Sequence, residues 1–185
     1  MIISITGTPG TGKTQAGKEL AKLMNANLIS LSSIEKRMKS PLDKKRKVKI
    51  IDIKELAKRT EKLMKPGINI FEGHLSHFLK PDIIIVLRCR PDVLEKRLKK
   101  RRYSKAKILE NIQSEILDSS TIEALENCKK VYEIDTTEKT SKNTVKLIKK
   151  FIDAKDKKCL SDYMPGKIDW SEKFKNYLLK FDASF

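Results

Sequence analysis

The stretch Gly7-Thr8-Pro9-Gly10-Thr11-Gly12-Lys13-Thr14, GTPGTGKT, matches the pattern G-x-x-x-x-G-K-[ST] at every fixed position. The apolar run Ile2–Thr6 precedes it. A helical stripe of Ala16, Leu20, Leu23 and Met24 follows. Strand, glycine loop and helix in that order form the context the pattern needs. The glycines let backbone N–H groups turn inward round phosphate oxygens, and the N-terminus of the helix adds partial positive charge. Lys13 is placed to reach the β- and γ-phosphates, and the Thr14 hydroxyl to bind Mg²⁺. The stretch implies ATP or GTP binding on an α/β fold. It does not name the reaction.

Working outward, four more β-rich runs appear: Asn27–Ser30, Ile68–Phe71, Asp82–Leu87 and Lys130–Asp135. The third of these, DIIIVL, is continuously apolar, as a strand buried on both faces of a parallel sheet should be. Between the runs lie helical stripes: Leu94 and Leu98 behind Pro91; Ile108, Ile112 and Ile116; Val145, Ile148 and Ile152. Strand alternating with helix predicts a P-loop NTPase fold with about five parallel strands and helices on both faces. The segment Lys36–Lys49, KRMKSPLDKKRKVK, holds eight basic residues and almost no core candidates, and reads as exposed. The tail from Lys155 turns at Pro165-Gly166, after which Phe174, Tyr177, Leu178 and Phe181 share a helical face. Such a helix is expected to pack back on its own domain.

The chain has 185 residues, 41 Lys and Arg against 24 Asp and Glu, and a formal charge of +17. That excess implies polyanionic company, nucleotide or RNA, although a lysine-rich thermophilic composition accounts for it as well. The three cysteines, Cys89, Cys128 and Cys159, form no C-x-x-C pair and read as reduced thiols. No signal peptide or membrane span is read, so a cytoplasmic protein without membrane association is expected.

Two further features bear on chemistry. Arg97 and Arg101, four apart, share one face of the helix that Leu94 and Leu98 hold to the core. Positioned guanidiniums of this kind stabilise a transferring phosphoryl group. The run IFEGHLSH, Ile70–His77, contains both histidines of the chain. No further Cys or His completes a zinc site around them. At a strand end beside the P-loop, Glu72 is better placed to act through Mg²⁺ or its water, with His74 following it. His77 reads as a packing residue.

Taken in order, TGTPGTGKT, FEGHLSHFL, IIIVLRCRPDVLEKRL and RRYSKAKILENIQSEI resemble the atypical adenylate kinases of the isoenzyme 6 type over residues 1 to 153. The tail phrase DYMPGKIDWSE resembles the archaeal branch. The resemblance implies a nucleoside monophosphate kinase-like domain over 1–154, with a monophosphate-binding segment at 30–53, a lid at 100–110 and a C-terminal extension at 155–185. It implies ATP + AMP ⇌ 2 ADP with Mg²⁺, and an ATPase activity. Gly10, Thr11, Gly12, Lys13, Thr14 and Gln15 match ATP-binding positions. Arg101 matches a lid arginine, Arg97 an arginine that packs on adenine, and the loop at Thr136 and Thr137 lies near the base. Glu72 and His74 match a D-x-H motif with glutamate for aspartate. Lys36 or Arg37 stands near the arginine expected to hold the AMP phosphate. Eukaryotic members assist maturation of the small ribosomal subunit on a platform ribosomal protein, which implies rRNA and such a protein as partners. A kinase of another small molecule would use the same core.

Overall fold

The computed structural model describes residues 1–43, 48–154 and 158–179. Lys44–Lys47 of the basic segment and Phe181 of the tail stripe lie outside them, as does the Cys159 side chain. In chain order the elements are β1 Ile2–Thr6, α1 Lys13–Met24, β2 Asn27–Ser30, α2 Leu31–Arg37, β3 Leu42–Asp43, β4 Val48–Lys49, α3 Ile53–Glu61, β5 Asn69–Glu72, β6 Ile83–Arg88, α4 Pro91–Lys100, α5 Lys105–Ile116, α6 Ser119–Asn127, β7 Val131–Asp135, α7 Ser141–Asp153 and α8 Ser171–Leu178. Short 3₁₀ turns cover Ser76–Phe78 and Lys158–Tyr163.

Five strands form one parallel sheet in the order β2-β5-β1-β6-β7. Ile5 stands beside Glu72 of β5 and beside Ile85 of β6, so the P-loop leaves the sheet at its centre. The two faces of β1 differ. Ile3 and Ile5 join Ile85, Leu87 and Ile134 beneath α1 and α7 in the main core. On the other face Ser4 Oγ meets Ser76 Oγ at 2.7 Å, and Thr6 Oγ1 meets His77 Nδ1 at 2.8 Å. A second core joins α2 and α3 to Phe71, a third joins α4 and α5, and a fourth sets Ala124 of α6 against Ile84 and Val86. Helices thus cover both faces.

Caps fix several helix starts. Asp52 accepts from Lys54 N at 2.8 Å, Ser104 from Lys107 N at 3.3 Å, and Thr140 from Asn143 N at 3.3 Å. Pro91 opens α4, where its missing N–H costs nothing.

Two sequence expectations need correction. Leu23 is exposed, because α1 turns Ala16, Gly17, Leu20 and Ala21 inward. The segment 36–49 is not bare of core: Met38 is 4% exposed and packs with Ile29 and Leu56, while β3 and β4 pair as a short antiparallel ribbon. Residues 100–110, where a lid is expected, comprise the end of α4, a turn and the first turns of α5. Cys89 and Cys128 are free thiols, and burial pushes Cys89 up to about 12, out of reactive range.

The tail returns to its own domain. Leu160 and Tyr163 join the main core, and Gly166 N donates to Glu133 Oε2 at 3.0 Å. Trp170, Phe174, Tyr177 and Leu178 then pack on Leu94, Leu98, Ile108 and Ile112. Gln113 Nε2 donates to Tyr177 O at 2.9 Å, and Tyr177 Oη to Glu95 Oε2 at 2.8 Å. Among the described residues no helix is long and apolar enough to cross a membrane.

Candidate active site

The P-loop runs from the end of β1 into α1. Gly7 holds φ +127°, and a Cβ there would stand 2.3 Å from the Leu87 carbonyl oxygen, so a side chain is excluded. The loop is closed internally and from behind. Thr11 Oγ1 donates to Thr8 O at 2.9 Å, and Thr136 Oγ1, after β7, donates to Thr11 O at 2.9 Å. Thr8 Oγ1 donates to Glu115 Oε2 at 2.5 Å. Lys13 Nζ donates to Gly7 O at 2.7 Å and Thr8 O at 3.0 Å, which holds the ammonium at the loop. Burial lowers its pKa to about 8. Glu72 and Glu115 favour the charged form, and Arg101 opposes it.

Glu115 belongs to a buried charge network. Its Oε1 accepts from Arg88 Nε at 2.8 Å and from Cys89 N at 3.0 Å. The same guanidinium reaches Glu133, Asp118 and Thr121. Burial works against the Arg88 charge, but these carboxylates hold its pKa above the ordinary value. The last helical turn of α5 is therefore wired to the P-loop and to the ends of β6 and β7.

Glu72 closes β5, 3% exposed. Its carboxylate accepts from Ser30 Oγ at 2.6 Å and from Thr14 Oγ1 at 3.2 Å. The fold thus brings together the two residues expected at Mg²⁺. A hydroxyl and a carboxylate are hard oxygen donors, which fit that ion. Among the described residues no group of three His, Cys, Asp or Glu side chains could hold a metal.

The two histidines part company. His74 stays exposed at the rim of the cleft. The cleft walls desolvate it, Lys13 and Lys107 add positive charge, and its pKa falls to about 4. It is neutral at pH 7 and suits hydrogen bonding to water rather than proton donation. His77 is fully buried and bound to Thr6, with Nε2 3.1 Å from Glu123 Oε2 at an angle too poor for a hydrogen bond. Burial, then His74, lowers its pKa to about 4 as well. It belongs to the packing beneath β1.

On the other side of the P-loop a cavity of about 240 Å³ is lined by Gly10, Thr11, Gly12, Gln15, Arg97, Arg101 and Thr136, among others. Arg97 donates to Thr136 O at 2.8 Å and Thr137 O at 3.2 Å. Thr137 stands just behind, held by Asp135 and donated to by Arg90 N at 2.8 Å. Gln15 donates to Glu19 at 2.8 Å. Lys36 and Arg37, by contrast, are exposed on the last turn of α2.

Two residues escaped the sequence reading. Glu115 is one. The other is Glu35 on α2, which is coupled electrostatically to Glu72 and Lys13 and has a buried, unpartnered Oε1. A lone glutamate in a run of lysines gives no sequence signal of either role.

A family model described as an AAA domain matches residues 3–118. Among curated proteins, a "Putative adenylate kinase" of Archaeoglobus fulgidus is 38% identical over 181 residues, covering 98% of each chain. Those so named in Methanosarcina barkeri and Methanocaldococcus jannaschii are 41% and 40% identical, covering 92% and 96% of this chain and 97% of their own lengths. Among solved structures, shikimate kinase of Acinetobacter baumannii in complex with shikimate has a TM-score of 0.59 at 14% identity, over 82% of this chain and 92% of its own. A gluconokinase of Sinorhizobium meliloti has a TM-score of 0.52 at 16% identity, over 78% and 86%. These structures share the fold of a P-loop kinase. With the phosphate loop, the Thr14–Glu72 pair and full-length archaeal relatives in agreement, the chain belongs to the P-loop family of archaeal proteins that carry this adenylate kinase name.

Proposed function

We propose that the protein is an adenylate kinase-type phosphotransferase of the isoenzyme 6 class, converting ATP and AMP to two ADP, with an accompanying ATPase activity. The observation that carries the reading is the P-loop with Lys13, with the Thr14–Glu72 pair on one side of it and the cavity lined by Arg97 and Arg101 on the other. ATP would lay its phosphates on the Gly7–Thr14 backbone, and its base toward Arg97 and Thr136. Thr14 would hold Mg²⁺ directly and Glu72 through water. The ion supplies charge neutralisation and orientation of the phosphates. Lys13 and Arg101 would meet charge developing on the transferring phosphoryl oxygens. His74, neutral, would orient an attacking water in the hydrolytic side reaction. Lys36 and Arg37 would meet the acceptor phosphate after a rotation of α2 toward the cleft.

The test follows ADP formation from ATP and Mg²⁺, with and without AMP and other monophosphates. AMP should stimulate it strongly; no stimulation by any monophosphate sinks the reading.

A second reading, a small-subunit maturation ATPase, is favoured by one surface feature. Lys99, Lys100, Arg101, Arg102 and Lys105 form an exposed basic row where α4 turns into α5, on a chain of charge +17. Co-sedimentation with small-subunit rRNA or a platform ribosomal protein tests it. Loss of association at physiological salt overturns it.

A further inference from the structure

Glu35 occupies a position that the reading above leaves unused. α2 starts directly after Ser30, whose hydroxyl binds Glu72. Its first residue, Leu31, is fully buried and abuts the backbone next to Glu72: a Cβ on Gly73 would stand 2.9 Å from Leu31 Cβ. Residues four apart share a helix face, so Glu35 stands one turn above Leu31 on the wall that looks at Glu72. Lys13 is within electrostatic reach of both carboxyl groups. Glu35 Oε1 is buried and has no hydrogen-bond partner among the described residues. A buried carboxylate oxygen of this kind costs stability unless something donates to it.

The charged groups around Glu35 narrow the choice of donor. Glu72 on β5 accepts from Ser30 and Thr14, and Lys13 on α1 gives two of its three donors to Gly7 and Thr8. On α3, packed against α2, Glu55 and Arg59 close on each other at 2.7 Å. Lys49 of β4 reaches Met38 O at 3.4 Å. Burial raises the Glu35 carboxyl above its ordinary pKa. Glu72 adds to this and Lys13 opposes it.

We propose that Glu35 is a specificity-determining residue of the acceptor side, accepting a hydrogen bond from the attacking oxygen, so that the site favours acceptors that carry a proton there. Water, an alcohol and a monoanionic phosphate qualify. A phosphate dianion meets two carboxylates instead. With water, the new O–P bond forms as the bond from Pγ to the ADP oxygen breaks. The proton passes from the attacking oxygen to Glu35 and from there to solvent. The inference rests on the site being a phosphoryl-transfer site, and not on AMP being the acceptor.

The experiment is Glu35→Gln, which keeps shape and removes charge, with Glu35→Ala beside it. Two reactions are assayed at pH 8, where AMP is mostly a dianion: ATP hydrolysis alone, and ADP formation with AMP. Hydrolysis should fall about tenfold in both variants, as the charged acceptor is lost. AMP-dependent ADP formation should hold or rise, and the KM for ATP should stay within about twofold. A merely structural role lowers both reactions together, and that result overturns the proposal, as does no change in hydrolysis. If AMP is not used by the wild type, the adenylate kinase reading fails while the hydrolysis result still decides the role of Glu35. A wild type inactive in both assays overturns both.

Discussion

The donor and acceptor sides of the cleft are built differently. On the donor side every loop atom of consequence is tied down. Thr8 is held by Glu115, Thr11 by Thr136, and Glu115 by the buried guanidinium of Arg88. The acceptor wall consists of a seven-residue helix, a ribbon of two-residue strands and a nine-residue helix. Its cations, Lys36 and Arg37, are exposed, and its inward carboxylate Glu35 has an oxygen without a partner. The phosphate loop is closely tied down, whereas the wall proposed above to face the acceptor is anchored through Leu31, Ile34, Met38 and Leu56. The shared fold of kinases for quite different acceptors has the same logic: loops and short elements vary on a fixed phosphate-binding scaffold.

The contrast can be broken at several points. The largest effect is expected from Lys13→Ala, which should lower both AMP-dependent and AMP-independent turnover by about a thousandfold or more, with circular dichroism unchanged. Residual turnover close to wild type would move the donor site elsewhere. Next comes stability. Glu115→Ala leaves Arg88 short of a buried partner and should cost about 3–5 kcal/mol in urea unfolding. Arg59→Ala on the acceptor wall breaks an ion pair whose side chains are 41% and 43% exposed, and should cost under about 1 kcal/mol. Equal losses would contradict the difference between the two sides.

A pH effect lies between these in size. The unfolded His77 binds its proton near pH 6.5 and the folded one only near 4. Between those values the unfolded state holds more protons, so stability is lost as pH falls through this window. The loss should reach about 2 kcal/mol at pH 5 relative to pH 7. His77→Asn should flatten that slope even if it lowers stability at pH 7. The smallest effect is reserved for Lys36→Ala and Arg37→Ala. Each should raise the KM for AMP about three- to tenfold and leave the KM for ATP unchanged. A change in the ATP value alone would remove them from the acceptor side.

This same division marks what the sequence makes legible. The five sheet strands fall within a residue or so of the apolar runs, because each run is a local signal that tertiary packing reinforces. Gly7, Lys13 and Thr14 are legible for the same reason. The helix α2 is not: its N-cap Ser30 spends its hydroxyl on Glu72 rather than on the helix, and only two apolar residues, Leu31 and Ile34, stand in it beside serines and cations. The helices α3 and α6 are short and were likewise not anticipated. Glu115 reads as one more surface glutamate until Arg88, 27 residues earlier, is folded against it. The unpartnered oxygen of Glu35 is a property of the assembled cleft and of no segment. Local periodicity reveals elements; the charge network and the acceptor wall arise from contacts between distant parts of the chain.

The path of the tail has a consequence for the order in which this protein forms during synthesis. Glu133 takes a hydrogen bond from Gly166, and among the described residues the outer face of α4 and α5 is covered by Trp170–Leu178. Synthesis runs from the N-terminus, so every P-loop residue exists long before these contacts can form. Until residues 160–178 emerge, the nascent domain carries an open apolar face and a Glu133 that lacks its Gly166 donor. A stop before Trp170 would leave the phosphate loop intact on a domain whose bare α4–α5 face favours self-association.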